Sequence, residues 1–237
     1  GRSMLWEIHR AAIADDLQGF LDADDEYRSG ALAVPDHVEM PFGFDGRDPV
    51  HIELGDGRVL EFRGRADRVD RSLDGTLTVL DYKTGKGLDY SGLDADPVVR
   101  GQRLQLPLYA EAARQQLGAT EARAYYWFAT RAGHYARYGY ELDEPRRARF
   151  ESVLMEIVDG IEAGVFPAEP GAANWFFGTF DNCAFCEFDA LCPSDREAHK
   201  DAIAGAPQLV RFRALADGAD GWDADAASDA ASDAASD

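Results

Sequence analysis

Two neighbouring runs of strand-forming residues, joined by a tight turn, place the strongest constraint on the fold. The runs are Val59–Asp70 and Thr76–Tyr82, and the pair Asp74-Gly75 lies between them. Their β-branched and apolar residues favour extended backbone, and an Asp-Gly pair is typical of a hairpin turn. The sequence therefore predicts an antiparallel hairpin around which the rest of the chain must be arranged.

Helices and further strands are predicted on both sides of this hairpin. Strands are indicated by short runs of β-branched residues between turn signals, and helices by apolar residues that recur every three or four positions. The other expected strands are His37–Phe42, His51–Leu54, 121–130 and 134–141. The expected helices are 5–23, 98–117 and 143–163. We interpret the first four strands as an antiparallel meander and the whole as an α/β domain whose mixed sheet is flanked by helices.

Charged side chains are grouped at the end of the hairpin. Asp81 and Lys83 lie two residues apart on the second strand, so their side chains point to the same face. The partner strand carries Asp67. Carboxylates in this setting suit Mg²⁺ or Mn²⁺, and a lysine beside them can orient a water or neutralise developing charge. An ion pair at a strand edge, with Asp67 as an ordinary turn acid, explains the same residues equally well.

A glutamine and a tyrosine follow on the next predicted helix. Gln105 and Tyr109 are four residues apart and therefore share one helix face. Both can hydrogen-bond a phosphate or a base edge, although such a pair taken alone is more often a surface feature.

These segments resemble the motifs of the PD-(D/E)XK nuclease superfamily, in particular its RecB/AddB-like branch. The matching strings are GRADRVD at 64–70, LDYKTGK at 80–86 and QLPLY at 105–109, and the similarity covers roughly residues 37–195. The resemblance implies a restriction-endonuclease-like fold and a Mg²⁺- or Mn²⁺-dependent DNA nuclease, acting on single-stranded DNA ends within a helicase–nuclease of recombinational repair. Two alternatives are a nuclease-fold domain that binds DNA or serves as a scaffold without cutting, and a stand-alone exonuclease of the CRISPR-adaptation type.

The resemblance also assigns roles to individual residues. The catalytic residues that it implies are Asp67, Asp81, Lys83, Gln105 and Tyr109. The metal ligands that it implies are Asp67, Asp81 and the backbone carbonyl of Tyr82, with His9 or Glu39 as further candidates. The arginines that we expect to contact DNA are Arg65, Arg100, Arg103 and Arg131.

Three closely spaced cysteines predict a metal centre towards the C-terminus. Thiolates at the spacing of Cys183, Cys186 and Cys192 suit an iron–sulfur cluster or zinc. Many RecB/AddB-like nucleases hold a [4Fe–4S] cluster with three such cysteines and a fourth far upstream, so the resemblance implies that cluster here. Because the sequence has no upstream cysteine, we expect a shortened nuclease domain, or a non-cysteine ligand such as Asp181 or His199.

Aromatic residues precede the cysteines. We expect their rings to pack around the cluster rather than to stack on bases, because so small a metal module needs an apolar covering. These residues are Trp175, Phe176, Phe177 and Phe180.

The composition sets a condition on any nucleic-acid function. The formal charge is −20, and seven of the aspartates lie between Asp217 and Asp237, in a segment of Ala, Ser and Asp that we expect to be disordered. DNA binding then requires the basic groups to gather in one groove. We expect a nuclease core over 4–172, a Cys-rich module over 173–205 and an acidic extension over 206–237. No apolar run is long enough to span a membrane, and we expect a cytoplasmic protein.

Overall fold

The computed structural model describes residues 2–223 and divides them into two units. The first unit is discontinuous and comprises the residues up to Leu154 and those from Trp222 onwards. The second unit comprises Met155–Gly221. The boundary expected after residue 172 thus falls inside the second unit. The part of the expected disordered tail beyond residue 223 lies outside the described residues.

A five-stranded mixed sheet forms the centre of the first unit. The strands are β1 (Ala33–Phe42), β2 (Val50–Glu53), β3 (Val59–Phe62), β4 (Gly64–Ser72), β5 (Leu77–Lys83), β6 (Ala122–Phe128) and β7 (Arg137–Glu141). The helices are α1 (Arg2–Ala31), α2 (Gln105–Leu117) and α3 (Glu144–Glu162), the last of which continues into the second unit. The sheet order is β1-β4-β5-β6-β7, in which β5 and β6 are parallel and the other neighbours antiparallel. The expected α/β fold with a mixed sheet is confirmed.

The expected meander is wrong, because β2 and β3 form a separate two-stranded hairpin. The run Val59–Asp70 breaks at Arg63, and its second part, β4, pairs with β1. Gly64 follows the break and lies opposite Phe42 of β1. A Cβ at Gly64 would lie 2.5 Å from the Phe42 ring, so only glycine leaves room for that ring. Strand-forming residues continue on both sides of the break, which is why the sequence pattern does not reveal it.

Two helix boundaries also differ from the prediction. α1 continues to Ala31, well beyond residue 23, and α2 begins at Gln105 rather than at residue 98. Val99 and Arg100, just before α2, have positive φ angles of 44° and 56°. Left-handed backbone cannot continue a right-handed helix, so α2 starts after this turn and carries Gln105 at its first position.

The hydrophobic core lies between the sheet and α2. Val79 of β5, Ala124 of β6 and Leu106 of α2 are fully buried in it. β5 and β6 pair in parallel register along the whole of β5, and parallel neighbours need a crossover such as α2 between them. This crossover brings the first turn of α2 to the carboxyl end of β5.

The second unit is built from short elements. Beyond α3 these are β8 (Ala173–Asn174), β9 (Thr179–Phe180), α4 (Arg196–Ala202) and α5 (Val210–Asp217). β8 and β9 form a small antiparallel hairpin, and the cysteines lie between this hairpin and α4. Among residues 2–223, each helix is too short or too polar to cross a lipid bilayer.

Candidate functional site

Asp81 and Lys83 lie side by side at the carboxyl end of β5. The Asp81 side chain is 5% exposed, and its Oδ2 forms an ion pair with the Lys83 ammonium, which is 28% exposed. Tyr82 between them points the other way, and its ring packs edge-on against Phe20 of α1 with centroids 5.3 Å apart. The strand therefore alternates as predicted and presents a carboxylate and an ammonium on one face.

Asp67 reaches the same strand from β4. The backbone pairing of β4 with β5 ends at Arg68↔Leu80. Beyond this pair, Asp67 Oδ2 accepts a hydrogen bond of 2.8 Å from the Tyr82 backbone N–H. The Asp67 side chain takes the place of a main-chain acceptor at this point of the strand pair. Its carboxylate is therefore held next to Asp81, the residue before Tyr82.

The environment of Asp81 favours the binding of a cation. Burial raises the pKa of the Asp81 carboxyl, and the Lys83 ammonium opposes this rise without cancelling it, while the Asp67 carboxylate adds to it. Asp81 Oδ2 is buried and faces the Lys83 ammonium, so the two carboxylates of Asp67 and Asp81 share one positive charge. A divalent ion would supply the missing positive charge, so the two carboxylates fit Mg²⁺ or Mn²⁺.

Residues of α2 and β6 also contact the Lys83 ammonium. Its Nζ lies 3.4 Å from Gln105 Oε1 and 5.0 Å from the centroid of the Tyr126 ring. Gln105 Nε2 in turn donates to the Tyr109 hydroxyl at 3.1 Å. The structure therefore brings together all five residues assigned to catalysis, which we call the β5 cluster: Asp67, Asp81, Lys83, Gln105 and Tyr109.

The two further ligand candidates do not join this cluster. His9 is exposed on α1, and Glu39 is exposed on β1, where its backbone φ is 48°. Among residues 2–223, no three His, Cys, Asp or Glu side chains are grouped so that they could hold a metal ion. The carboxylates that the structure places together are those of Asp67 and Asp81.

Two of the arginines expected to contact DNA are paired with carboxylates. Arg65 Nη2 donates to Asp45 at 3.1 Å, and Arg131 Nε donates to Asp16 of α1 at 3.3 Å. Both arginines therefore hold together parts of the protein itself, and a phosphate would have to compete with these aspartates.

The other two arginines lie just before α2. The Arg103 guanidinium packs over the Tyr90 ring at 4.4 Å, and Tyr90 contacts Tyr126, the residue beneath Lys83. Arg100 belongs to the left-handed turn that ends before α2. These contacts connect Arg103 to the β5 cluster through Tyr90 and Tyr126.

Sequence reasoning missed a buried charge network on the opposite face of the sheet. Arg68 donates to both carboxylate oxygens of Asp70, at 2.5 and 2.6 Å, and to Asp24 of α1 at 2.7 Å. It also donates to the Tyr82 hydroxyl at 3.2 Å. The spacing of Arg68 and Asp70 could have indicated a pair on one strand face, but nothing local in the sequence indicates Asp24. The network fixes α1 behind the strands that carry the β5 cluster.

Comparison with known proteins identifies the family. The family model for the PD-(D/E)XK nuclease superfamily matches residues 4–193. The chain belongs to this superfamily. The match confirms the family inferred from the three motifs, and it includes both the β5 cluster and the cysteines.

Curated relatives support the RecB/AddB-like branch of the PD-(D/E)XK superfamily. An ATP-dependent helicase/deoxyribonuclease subunit from Clostridium tetani is 36% identical over 109 residues, which are 44% of this chain and 9% of the relative. Proteins of the same name from Moorella thermoacetica and Symbiobacterium thermophilum are 34% and 41% identical, over 52% and 40% of this chain and 11% and 8% of theirs. The matched regions thus span about a tenth of the length of these relatives. A solved structure, described as the crystal structure of SSO0001, aligns over 77% of this chain and 70% of that chain at 22% identity, with a TM-score of 0.34 that is too low to bear on the fold.

The three cysteines of this PD-(D/E)XK chain surround one small pocket of the second unit. Cys183, Cys186 and Cys192 line a cavity of about 80 Å³ together with His199 and Arg196. All three cysteines are free thiols, and burial raises the pKa of the Cys183 thiol. Arg196 Nε is buried and has no hydrogen-bond partner among the described residues. The thiols thus line one cavity beside an unpaired N–H donor, but among residues 2–223 they are not grouped closely enough to hold a metal ion as they stand.

The two non-cysteine residues considered as ligands differ in position relative to the cysteine pocket. Asp181 Oδ1 accepts a hydrogen bond of 2.6 Å from Asn174 Nδ2, and Asp181 does not line the described cysteine pocket. His199 lies on α4 and lines that pocket.

The aromatic residues ahead of the cysteines differ from the prediction. Trp175 is 91% exposed, Phe176 74% and Phe177 49%, whereas Phe180 of β9 is partly buried. The expectation that these rings cover the metal module is therefore wrong for the first three. They occupy the turn of the β8–β9 hairpin, and their position on that turn leaves them open to solvent.

Proposed function

We propose that this chain is the nuclease domain of a helicase–nuclease, a metal-dependent deoxyribonuclease that cuts single-stranded DNA ends in recombinational repair. The β5 cluster carries the proposal, because it combines two carboxylates with a lysine at the exposed end of a buried strand. The names of the relatives, helicase/deoxyribonuclease subunits, support DNA as the substrate and a helicase as the partner.

The metal ligands of the proposed site are two carboxylates and one main-chain oxygen. Asp67, Asp81 and the backbone carbonyl of Tyr82 would hold Mg²⁺ or Mn²⁺. When bound, such an ion polarises the scissile phosphate and lowers the pKa of a bound water. Without positive charge, the two carboxylates would repel the phosphate, which makes cleavage dependent on metal.

Lys83 contributes through its position beside the carboxylates. Asp81 and Gln105 hold its ammonium, so that it can donate to the attacking water or to a phosphate oxygen as negative charge develops. Gln105 and Tyr109 offer further donors on the first turns of α2, where the helix N-terminus also favours an anion. Each of these groups would stabilise the transition state more than the bound substrate.

A comparison of two lysine variants tests this proposal. Lys83 belongs to the β5 cluster, whereas Lys86 is exposed three residues later in the same motif. With end-labelled single-stranded DNA and Mn²⁺, we expect Lys83→Ala to cut at least about a hundredfold more slowly than the wild type, as for the loss of a transition-state donor. Lys86→Ala should cut at the wild-type rate. DNA and metal binding should survive in Lys83→Ala, because both carboxylates remain.

Two results would contradict the proposal in different ways. Cleavage by Lys83→Ala at the wild-type rate would refute the role of this lysine. A wild-type protein that binds DNA and Mn²⁺ but does not cut would instead favour the alternative of a DNA-binding or scaffold domain.

We further propose that Cys183, Cys186 and Cys192 hold a [4Fe–4S] cluster, with His199 as the fourth ligand available in this chain. Support comes from the pocket that these four residues share and from the unpaired Arg196 N–H beside it. Hydrolysis requires no electron transfer, so the role of the cluster would be to stabilise the second unit. Protein purified without oxygen should be brown with about four irons per chain, and His199→Ala should change the absorption spectrum. A colourless protein, or one that contains zinc, would contradict this assignment.

A further inference from the structure

Four exposed aromatic rings form a connected row in the second unit. Trp175 contacts Phe176, Phe176 contacts Phe177, and Phe177 contacts Phe185, with centroids 6.1, 5.2 and 5.4 Å apart and interplanar angles of 85°, 87° and 74°. Phe185 is 84% exposed, like Trp175 and Phe176 at the other end of the row. Because edge-to-face neighbours cover little of each other, most of the ring surface remains open to a ligand. We call these four residues the aromatic row.

Side-chain hydrogen bonds support the backbone beneath the aromatic row. Asn174 Oδ1 accepts hydrogen bonds from the backbone N–H groups of Phe176 and Phe177, at 3.1 and 3.2 Å. Asn174 Nδ2 is in turn bound to Asp181, and Gly178 supplies the positive φ of 64° that completes the turn. The rings are therefore presented in a preorganised arrangement, and a ligand that binds them loses little affinity to ordering of the loop.

The charge around the row restricts the kind of ligand. The segment 171–180 contains no charged residue, while the second unit as a whole has more acidic than basic residues. The phosphates of a DNA strand would also be repelled by this unit, so a strand that binds here must be held by its bases. Unpaired nucleic-acid bases stack on exposed aromatic rings whatever their sequence, and this contact needs no basic side chain.

We propose that the aromatic row binds unpaired bases of single-stranded DNA by stacking. The inference rests on the proposed deoxyribonuclease function, which makes DNA the ligand. The aromatic row would contact the bases of the strand, whereas the β5 cluster would contact its phosphate backbone. It also gives a role to the hydrogen-bonded turn that holds Trp175 and Phe176 open to solvent.

Binding of two oligomers with the same number of phosphates tests the proposal. One is an oligothymidine, and the other is a length-matched strand of abasic residues. In EDTA, which prevents metal-dependent cleavage, Trp175→Ala should weaken binding of the oligothymidine roughly tenfold, and it should leave binding of the abasic strand unchanged. Trp175→Phe should restore most of the affinity, because a phenyl ring still stacks.

A second exposed aromatic residue provides the matched control. Phe166 is 75% exposed in the same unit and takes part in none of the ring contacts of the described residues. Phe166→Ala should bind both oligomers like the wild type. Binding of oligothymidine should also quench tryptophan fluorescence in the wild type and much less in Trp175→Ala, and the salt dependence of binding should be the same in both.

Two outcomes would overturn the inference, and a third would separate it from the nuclease proposal. Equal losses on both oligomers would mean that the substitution acts through folding or charge and not through stacking. Unchanged DNA binding, together with a changed molecular mass by light scattering, would assign the row to a protein interface. A wild type that binds oligothymidine through Trp175 but never cuts DNA would overturn the nuclease proposal and leave the role of the row intact.

Discussion

Replacing Arg68 by methionine should destabilise the first unit strongly, because it leaves a buried carboxylate without its partner. The guanidinium donates twice to Asp70, once to Asp24 and once to the Tyr82 hydroxyl. Asp24 retains Arg28 as a partner at 2.8 Å. The Asp70 side chain is fully buried and cannot turn to water, so it is the charge left uncompensated.

The expected loss follows from the burial of the pair. Removing one partner of a buried ion pair costs about 3–5 kcal/mol of the free energy of unfolding. Arg71 provides a matched control three residues further along β4, where it donates to Asp36 at 2.8 Å but both side chains are about one-third exposed. Arg71→Met should therefore cost less than about 1 kcal/mol.

Urea unfolding followed by tryptophan fluorescence would measure both losses. Trp127 is buried and packs against Phe20 of α1 at 5.0 Å, so it reports on the contact between α1 and the sheet. Adding Asp70→Asn to Arg68→Met should recover part of the lost stability, because the unpaired charge is removed. An Arg68→Met protein as stable as Arg71→Met would refute the reasoning.

Three further predictions concern stability. Gly139→Ala should cost about 1–3 kcal/mol in thermal unfolding, because a Cβ there would lie 2.0 Å from the Ala124 carbonyl oxygen. Gly30→Ala meets open space on α1 and should be neutral or slightly stabilising, and equal effects of the two substitutions would contradict the packing argument. Burial raises the pKa of Asp96, but the Arg149 guanidinium and two backbone N–H groups outweigh burial and hold this pKa below its usual range. Asp96 therefore contributes stability above about pH 4, and this contribution is lost as the pH falls through the folded-state pKa. The stability difference between the wild type and Asp96→Asn should accordingly shrink in acid, and a difference that is constant with pH would be inconsistent with the ion pair. Removal of iron by a chelator should lower the temperature at which the second unit unfolds, and an unchanged transition would argue against a structural cluster.

Local patterns in the sequence predicted those parts of the candidate site that depend on local geometry. Asp81 and Lys83 share a face because a strand alternates with a period of two, and Gln105 and Tyr109 share a face because they are four residues apart on a helix. The proximity of Asp67 to this strand followed from the hairpin. These relations need no knowledge of the distant chain.

Features that depend on distant contacts or on unusual backbone were not predictable. Val99 and Arg100 adopt left-handed backbone without being glycines, so nothing in the sequence indicated that α2 begins only at Gln105. The partner of Arg68 is Asp24, which is distant in the chain. Trp175 is as apolar as a core residue, and only the turn of the β8–β9 hairpin determines that it is exposed.

The central claim is that the carboxylates of Asp67 and Asp81 hold the divalent ion on which DNA cleavage depends. The rate of single-stranded DNA cleavage as a function of Mn²⁺ concentration, for the wild type and Asp67→Asn, tests it most directly. The amide of asparagine can still accept the Tyr82 N–H, so the local fold is retained while a metal ligand is weakened. We predict that the Mn²⁺ concentration for half-maximal cleavage rises at least about tenfold. Superimposable curves for the two proteins would contradict the account.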